Sequence, residues 1–143
     1  MFWNRGITKS LEEHEVSKQC QAEAEQLYRS GKYHCAEAVL EALRRRFAPQ
    51  LPESVVGSVS GFGGGSGSGC ICGAVSGGTV ALGLLLADKK ETTRLTKELH
   101  TWFKEKYRVT CCKIIRQNDK GVCPLLTGEV AGRIAEMLVN KSL

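Results

Sequence analysis

Seven cysteines punctuate this chain of 143 residues: Cys20, Cys35, Cys70, Cys72, Cys111, Cys112 and Cys123. Their thiols are the groups with most chemistry to offer, since a thiolate can ligate a metal or cluster, attack a disulfide, or be oxidised reversibly. A chain of this length buries a sufficient core without staples, and an odd number of cysteines cannot form a fully paired disulfide framework. Cys35, Cys72 and Cys123 fall at predicted helix beginnings, where free backbone N–H groups and the helix dipole favour a thiolate and are expected to lower its pKa. Cys112 opens or sits within a further short element. Cys20 stands mid-helix on an ordinary core face and reads as a small apolar residue. The spacing contains no C-x-x-C pair, no zinc-finger arrangement and no histidine cluster. In the two close pairs, Cys70 with Cys72 and Cys111 with Cys112, neighbours rarely both ligate one metal, so one member of each is expected to matter.

Apolar periodicity supplies the elements that must carry these residues. Val16, Cys20, Ala24, Leu27 and Tyr28 mark a helix over 13–30 that Gly31 stops, and residues 1–12 read as a loose N-terminal segment. A second helix runs from Tyr33 or His34 to Phe47, with Ala36, Val39, Leu40, Leu43 and Phe47 on one face. A short helical turn begins at Pro52 and gives way to the loop GFGGGSGSG, residues 61–69, where nothing regular is predicted. From Cys70 or Cys72 to Ala87 an uncharged helix presents Gly73, Gly77 and Ala81 as a strip on which a neighbour can pack closely; it has no obvious wet side. Residues 91–107 turn Leu95, Leu99, Trp102 and Phe103 inward. After the segment TCCKIIR, the last helix starts at Cys123–Pro124 and buries Leu126, Val130, Ile134, Met137 and Leu138. No strand pattern competes, so the fold class is all-α: one domain over 1–143, a bundle of five or six helices around the central glycine-rich, uncharged helix.

The net charge of +5 lies in the last third, because residues 1–53 carry 8 basic and 8 acidic groups, 54–87 none, and 88–143 12 basic and 7 acidic. There is no dense basic stripe with a reading motif, so nucleic acid is not an expected partner; Arg44, Arg45 and Arg46 read as the solvated last turn of a helix. The uncharged stretch 54–87 holds 11 glycines, and its strongly apolar part, 79–87, is far short of the ~20 residues that span a bilayer. No secretory leader pattern opens the chain, so the expected compartment is the reducing cytoplasm. The glycine loop fails G-x-G-x-x-G at every register, the last position falling on Ser66, Ser68, Cys70 or Cys72, and is expected instead to bring backbone close to a cluster, a ligand or a helix. His34, beside Cys35, is a candidate for tuning it, while His14 and His100 read as solvent-facing. Hydrolytic chemistry has no candidate residues.

With YHCAEAVLEAL around Cys35, the block GFGGGSGSGCICGAVSGGTVALGLLL around Cys72, WFKEKYRVTCCKII around Cys112, and Cys123 heading the last helix, the chain resembles a family of redox-active proteins named for the pattern Cys, Gly-Cys-x-x-Gly, Cys, Cys. The resemblance covers about residues 28–140 and implies that Cys35, Cys72, Cys112 and Cys123 are the family's cysteines, with Gly77 closing the central motif. Gly69-Cys70-Ile71-Cys72-Gly73 offers a second register for that motif, and Cys111 a second candidate for the third cysteine. The first expectation is four thiolates holding an iron–sulfur cluster, an electron-transfer or redox-sensing module, with Gly69, Gly73 and Gly77 bringing backbone near it. The second is a metal-free thiol–disulfide oxidoreductase with Cys72 as low-pKa attacking thiol and Cys35 or Cys123 resolving it. The third is a structural zinc or small-ligand site. Each of the first two needs a redox partner protein, and assembly into a homo-oligomer is compatible with all three.

Overall fold

Seven helices and no strand occupy the described residues, 2–142 of a computed structural model, with side chains described over 10–141. In order they are α1 (Phe2–Arg29), α2 (Cys35–Phe47), α3 (Ser54–Gly57), α4 (Gly73–Leu86), α5 (Lys89–Tyr107), α6 (Cys112–Asn118) and α7 (Cys123–Ser142). The all-α reading holds. The count passes five or six because the turn after Pro52 closes as α3 and the TCCKIIR segment as α6. α1 begins at Phe2, ahead of its periodic stretch, so residues 2–12 are helical rather than loose. Gly31, at φ +80°, ends the path of α1 as expected. α5 starts at Lys89 because Asp88 caps it, its carboxylate accepting the Lys90 N–H at 3.0 Å. No helix among the described residues is long and apolar enough to cross a membrane.

The helical faces read from periodicity meet in one core: Val16, Cys20 and Ala24 of α1, Val39, Leu40 and Leu43 of α2, Leu95, Leu99 and Phe103 of α5, and Leu126, Val130 and Ile134 of α7 are all buried. Each large aliphatic side chain so placed contributes about 1.5–3 kcal/mol, enough to hold the fold while every cysteine stays a free thiol.

Glycine sets the closest approaches. A Cβ on Gly77 would lie 2.5 Å from the Ala36 carbonyl oxygen, and one on Gly78 2.5 Å from Ile134 Cδ1, so α4 is wedged between α2 and α7. The expected strip is therefore real, though Gly78 adds a second contact that four-residue spacing did not reveal. α4 is not wholly dry, since Leu84 is 41% exposed. Gly128 and Gly132 of α7 take up the backbone of α1 in the same way, their Cβ positions 2.8 Å from Gln21 O and 3.1 Å from Ser17 O. The rising order on one helix against the falling order on the other makes α1 and α7 antiparallel.

The arginine trio forms the last turn of α2 as read, with Arg45 and Arg46 exposed, but Arg44 is half-buried and the trio does more than meet solvent. Glu41 is fully buried and accepts hydrogen bonds from Arg44 and Arg45 at 2.7–3.0 Å. Burial pushes its carboxyl pKa up, but the two guanidiniums outweigh burial and hold it below the usual carboxylate range. Only Arg46 of the three is free of that clamp, lying over the Phe47 ring.

Candidate functional site

Four cysteines reach one place from four elements. Cys35 and Cys123 are the first residues of α2 and α7, Cys112 is the first of α6, and Cys72 immediately precedes α4. The starts of α4 and α6 are tied together by an antiparallel bridge between Ile71 and Cys111. Around it the Cys72 N–H donates to Thr110 O at 2.7 Å and the Cys112 N–H to Cys70 O at 2.5 Å. The glycine loop closes over this bridge: Gly65, at φ +64°, has no room for a side chain, since its Cβ would lie 2.5 Å from Cys70 N and 2.8 Å from Cys112 Cβ. Far from irregular throughout, the loop forms a tight turn at Ser60–Phe62 and a wide one at Gly65–Gly69.

The result is a cavity of about 350 Å³ whose wall includes Tyr28, Cys35, Cys72, Cys112, Cys123 and Thr127, with the exposed His34 and Arg116 beside them. Gly73 lines it too. A Cβ there would lie 2.5 Å from Cys35 Sγ and 2.7 Å from Phe62 O, so the missing side chain is the space the Cys35 sulfur occupies. Tyr28 lies beside Cys123 and Arg116 beside Cys112. Thr127 is fully buried, and its Oγ1 has no hydrogen-bond partner. A buried hydroxyl in that condition costs about 1–3 kcal/mol.

Electrostatics overturn one expectation. Cys72 was expected to carry a lowered pKa, yet burial pushes its thiol up to about 12, and the neighbouring Cys35 adds to the rise. The N–H groups of Ala74 and Val75 do favour its thiolate, as the helix start predicts, but they lose to desolvation. Cys35 is likewise raised by burial against the N–H groups of Ala36 and Gly64, and Cys112 by burial and then Cys123. Burial therefore disfavours the thiolate at all three, in spite of the Arg116 guanidinium beside Cys112.

Cys70 is exposed and outside the cavity, and Cys111 points its thiol away, donating to Gly69 O at 3.4 Å. The bridge therefore selects Cys72 and Cys112 from the two close pairs. Of the three glycines expected near a cofactor, only Gly73 lines the cavity: Gly77 lies under Ala36, and Gly69 lies in an adjoining groove against Lys113. Cys20 sits in the core, 2% exposed, as expected. His34 lines the cavity, its backbone N–H donating to Glu37 Oε1 at 3.1 Å. Sequence reasoning missed Thr127, although it stands four residues after Cys123 and so on the same face of α7. It took Tyr28 as a core residue, and nothing local marks it otherwise.

Among the described residues, no three His, Cys, Asp or Glu side chains converge as a ready-made site for a single ion. A family model described as "putative redox-active protein (C_GCAxxG_C_C)" matches residues 33–137. No curated protein and no solved structure matches the chain.

Proposed function

Because the chain belongs to this C_GCAxxG_C_C family of redox-active proteins, we propose that Cys35, Cys72, Cys112 and Cys123 hold an iron–sulfur cluster and that the protein transfers or senses single electrons. The observation that carries the proposal is the meeting of those four thiols, from four separate elements, around one cavity of about 350 Å³. The donor set fits such a group, for four cysteine thiolates are the usual ligands of a cluster. So do the partnerless Thr127 hydroxyl, which a group in the cavity would satisfy, and the room left by Gly73.

When bound, the cluster supplies a site that accepts and gives up one electron. The protein's own residues bind and tune it. The N–H groups of Ala36 and Gly64 at Cys35, and of Ala74 and Val75 at Cys72, stabilise negative sulfur. Arg116 does the same at Cys112. Burial limits the access of water to Cys72 and Cys112.

This reading is preferred to its alternatives on two grounds. A thiol–disulfide oxidoreductase needs a thiolate at working pH, and burial opposes one at Cys72 and Cys35. A zinc ion draws its ligands to about 2.3 Å from one point, whereas the thiols here line a cavity of about 350 Å³. Anaerobic purification followed by iron and acid-labile sulfide analysis tests the proposal. Iron and sulfide in equal amounts with visible charge-transfer absorption support it, and their absence after anaerobic reconstitution rejects it.

A further inference from the structure

Five large apolar side chains are exposed among the described residues, and three of them, Ile71, Ile114 and Leu125, lie within two residues of Cys72, Cys112 or Cys123. Exposed apolar residues scattered over a surface are ordinary, but Ile114 shares the short helix α6 with the groove-lining Cys112, Lys113 and Arg116, and Ile71 is bridged to the neighbouring Cys111. Beside the thiol cavity, a groove of about 590 Å³ runs between the glycine loop and Lys113, Arg116 and Lys120. Cys112 and Arg116 line both the groove and the cavity. Lys113 and Lys120 have no ion-pair partner among the described residues. Asp119 is the one acidic residue between Cys112 and Cys123, and its Oδ1 accepts the Gly121 N–H at 3.1 Å. The facing stretch 54–87 carries no charge at all.

We propose that this basic and apolar rim is the docking face for an acidic electron-carrier protein, which exchanges electrons with the thiol-held group across Cys112. The inference rests on the redox reading above. Gly64, Cys112 and Arg116 line the cavity on one side and the groove on the other, so a carrier seated in the groove comes within one residue of the thiol-held group. The unpaired lysines call for acidic counter-charge, and the exposed Ile71 and Ile114 call for a partner surface that dehydrates them. A small anion would meet the first demand only, and nucleic acid would be held by a longer basic track than three residues. In the exchange the reduced carrier gives up one electron and the thiol-held group takes it; no bond is made or broken.

Calorimetric titration with an acidic flavodoxin, and in parallel with basic cytochrome c, tests the docking face on the full chain. The wild type is expected to bind the flavodoxin with an affinity that falls as salt is raised. Reversing two charges outside the cavity, in the double variant K113E/K120E, should weaken binding at least about tenfold at low salt. The variant I114S should weaken it without altering the salt dependence, and circular dichroism should be unchanged in both. Absence of binding by the wild type, equal affinity in K113E/K120E, or equal affinity for cytochrome c overturns the proposal. Failure of the redox reading shows separately, as no reversible electron uptake from photoreduced deazaflavin, a small reductant that needs no docking face.

Discussion

Thr127 and Gly128 are neighbours on α7 that face two different worlds. Gly128 turns to α1, where Gln21 O fills the place of its missing side chain and the nearby Ser17 hydroxyl donates to Gly132 O at 3.0 Å. Thr127 turns to the thiol cavity, fully buried, with no partner for its hydroxyl. The α1–α7 seam is finished by protein alone, and the cavity is not. Cysteine divides along the same line: Cys20 packs in the core, while Cys35, Cys72, Cys112 and Cys123 surround open space. Residue type does not separate a functional region from a structural one; what occupies the adjoining volume does.

The comparison breaks most severely if a tight glycine contact proves soft. Gly77→Ala drives a Cβ to 2.5 Å from the backbone oxygen of Ala36, where no side chain can yield, and should cost about 3 kcal/mol by chemical denaturation. In the seam, Gly132→Ala meets Ser17 O at 3.1 Å and should cost only about 1 kcal/mol. Thr127→Val sharpens the contrast because its sign depends on the cavity. In the cofactor-free chain it removes a partnerless buried hydroxyl and should stabilise by about 1 kcal/mol, whereas in cluster-loaded protein it should shift the midpoint potential. Stabilisation in both states with an unmoved potential would leave Thr127 without a role.

A separate effect is alkaline. Cys20 and Cys72 have folded pKa values of about 11 and about 12 against an ordinary 9.0. Above pH 9 the unfolded chain loses these protons while the folded chain keeps them, so folding binds protons and stability falls as pH rises. The melting temperature of the cofactor-free chain should therefore hold below pH 9 and decline above it, and Cys20→Ala should flatten part of that decline. A melting temperature that rises between pH 9 and 11 would contradict the burial of both thiols.

The helices were legible because burial on one face imposes a period that residues such as Leu95, Leu99 and Phe103 display locally. The choice of Cys72 over Cys70 and Cys112 over Cys111 was not, since it depends on the pairing of Ile71 with Cys111 across 40 residues. The thiol pKa values were misread for a related reason. Helix starts are visible in sequence and favour thiolate, but the desolvation that wins is made by side chains from elsewhere. Glu41 shows the same limit, buried under arginines that read as a solvated turn.

Single cysteine-to-serine replacement at all seven positions, each variant purified without oxygen and assayed for iron, sulfide and visible absorption, tests the central claim most directly. C35S, C72S, C112S and C123S should lose or strongly destabilise the cluster, while C20S, C70S and C111S retain it at wild-type stoichiometry in whatever protein folds. Iron and sulfide retained in all four of the first group, or lost only with Cys70 or Cys111, would contradict the claim.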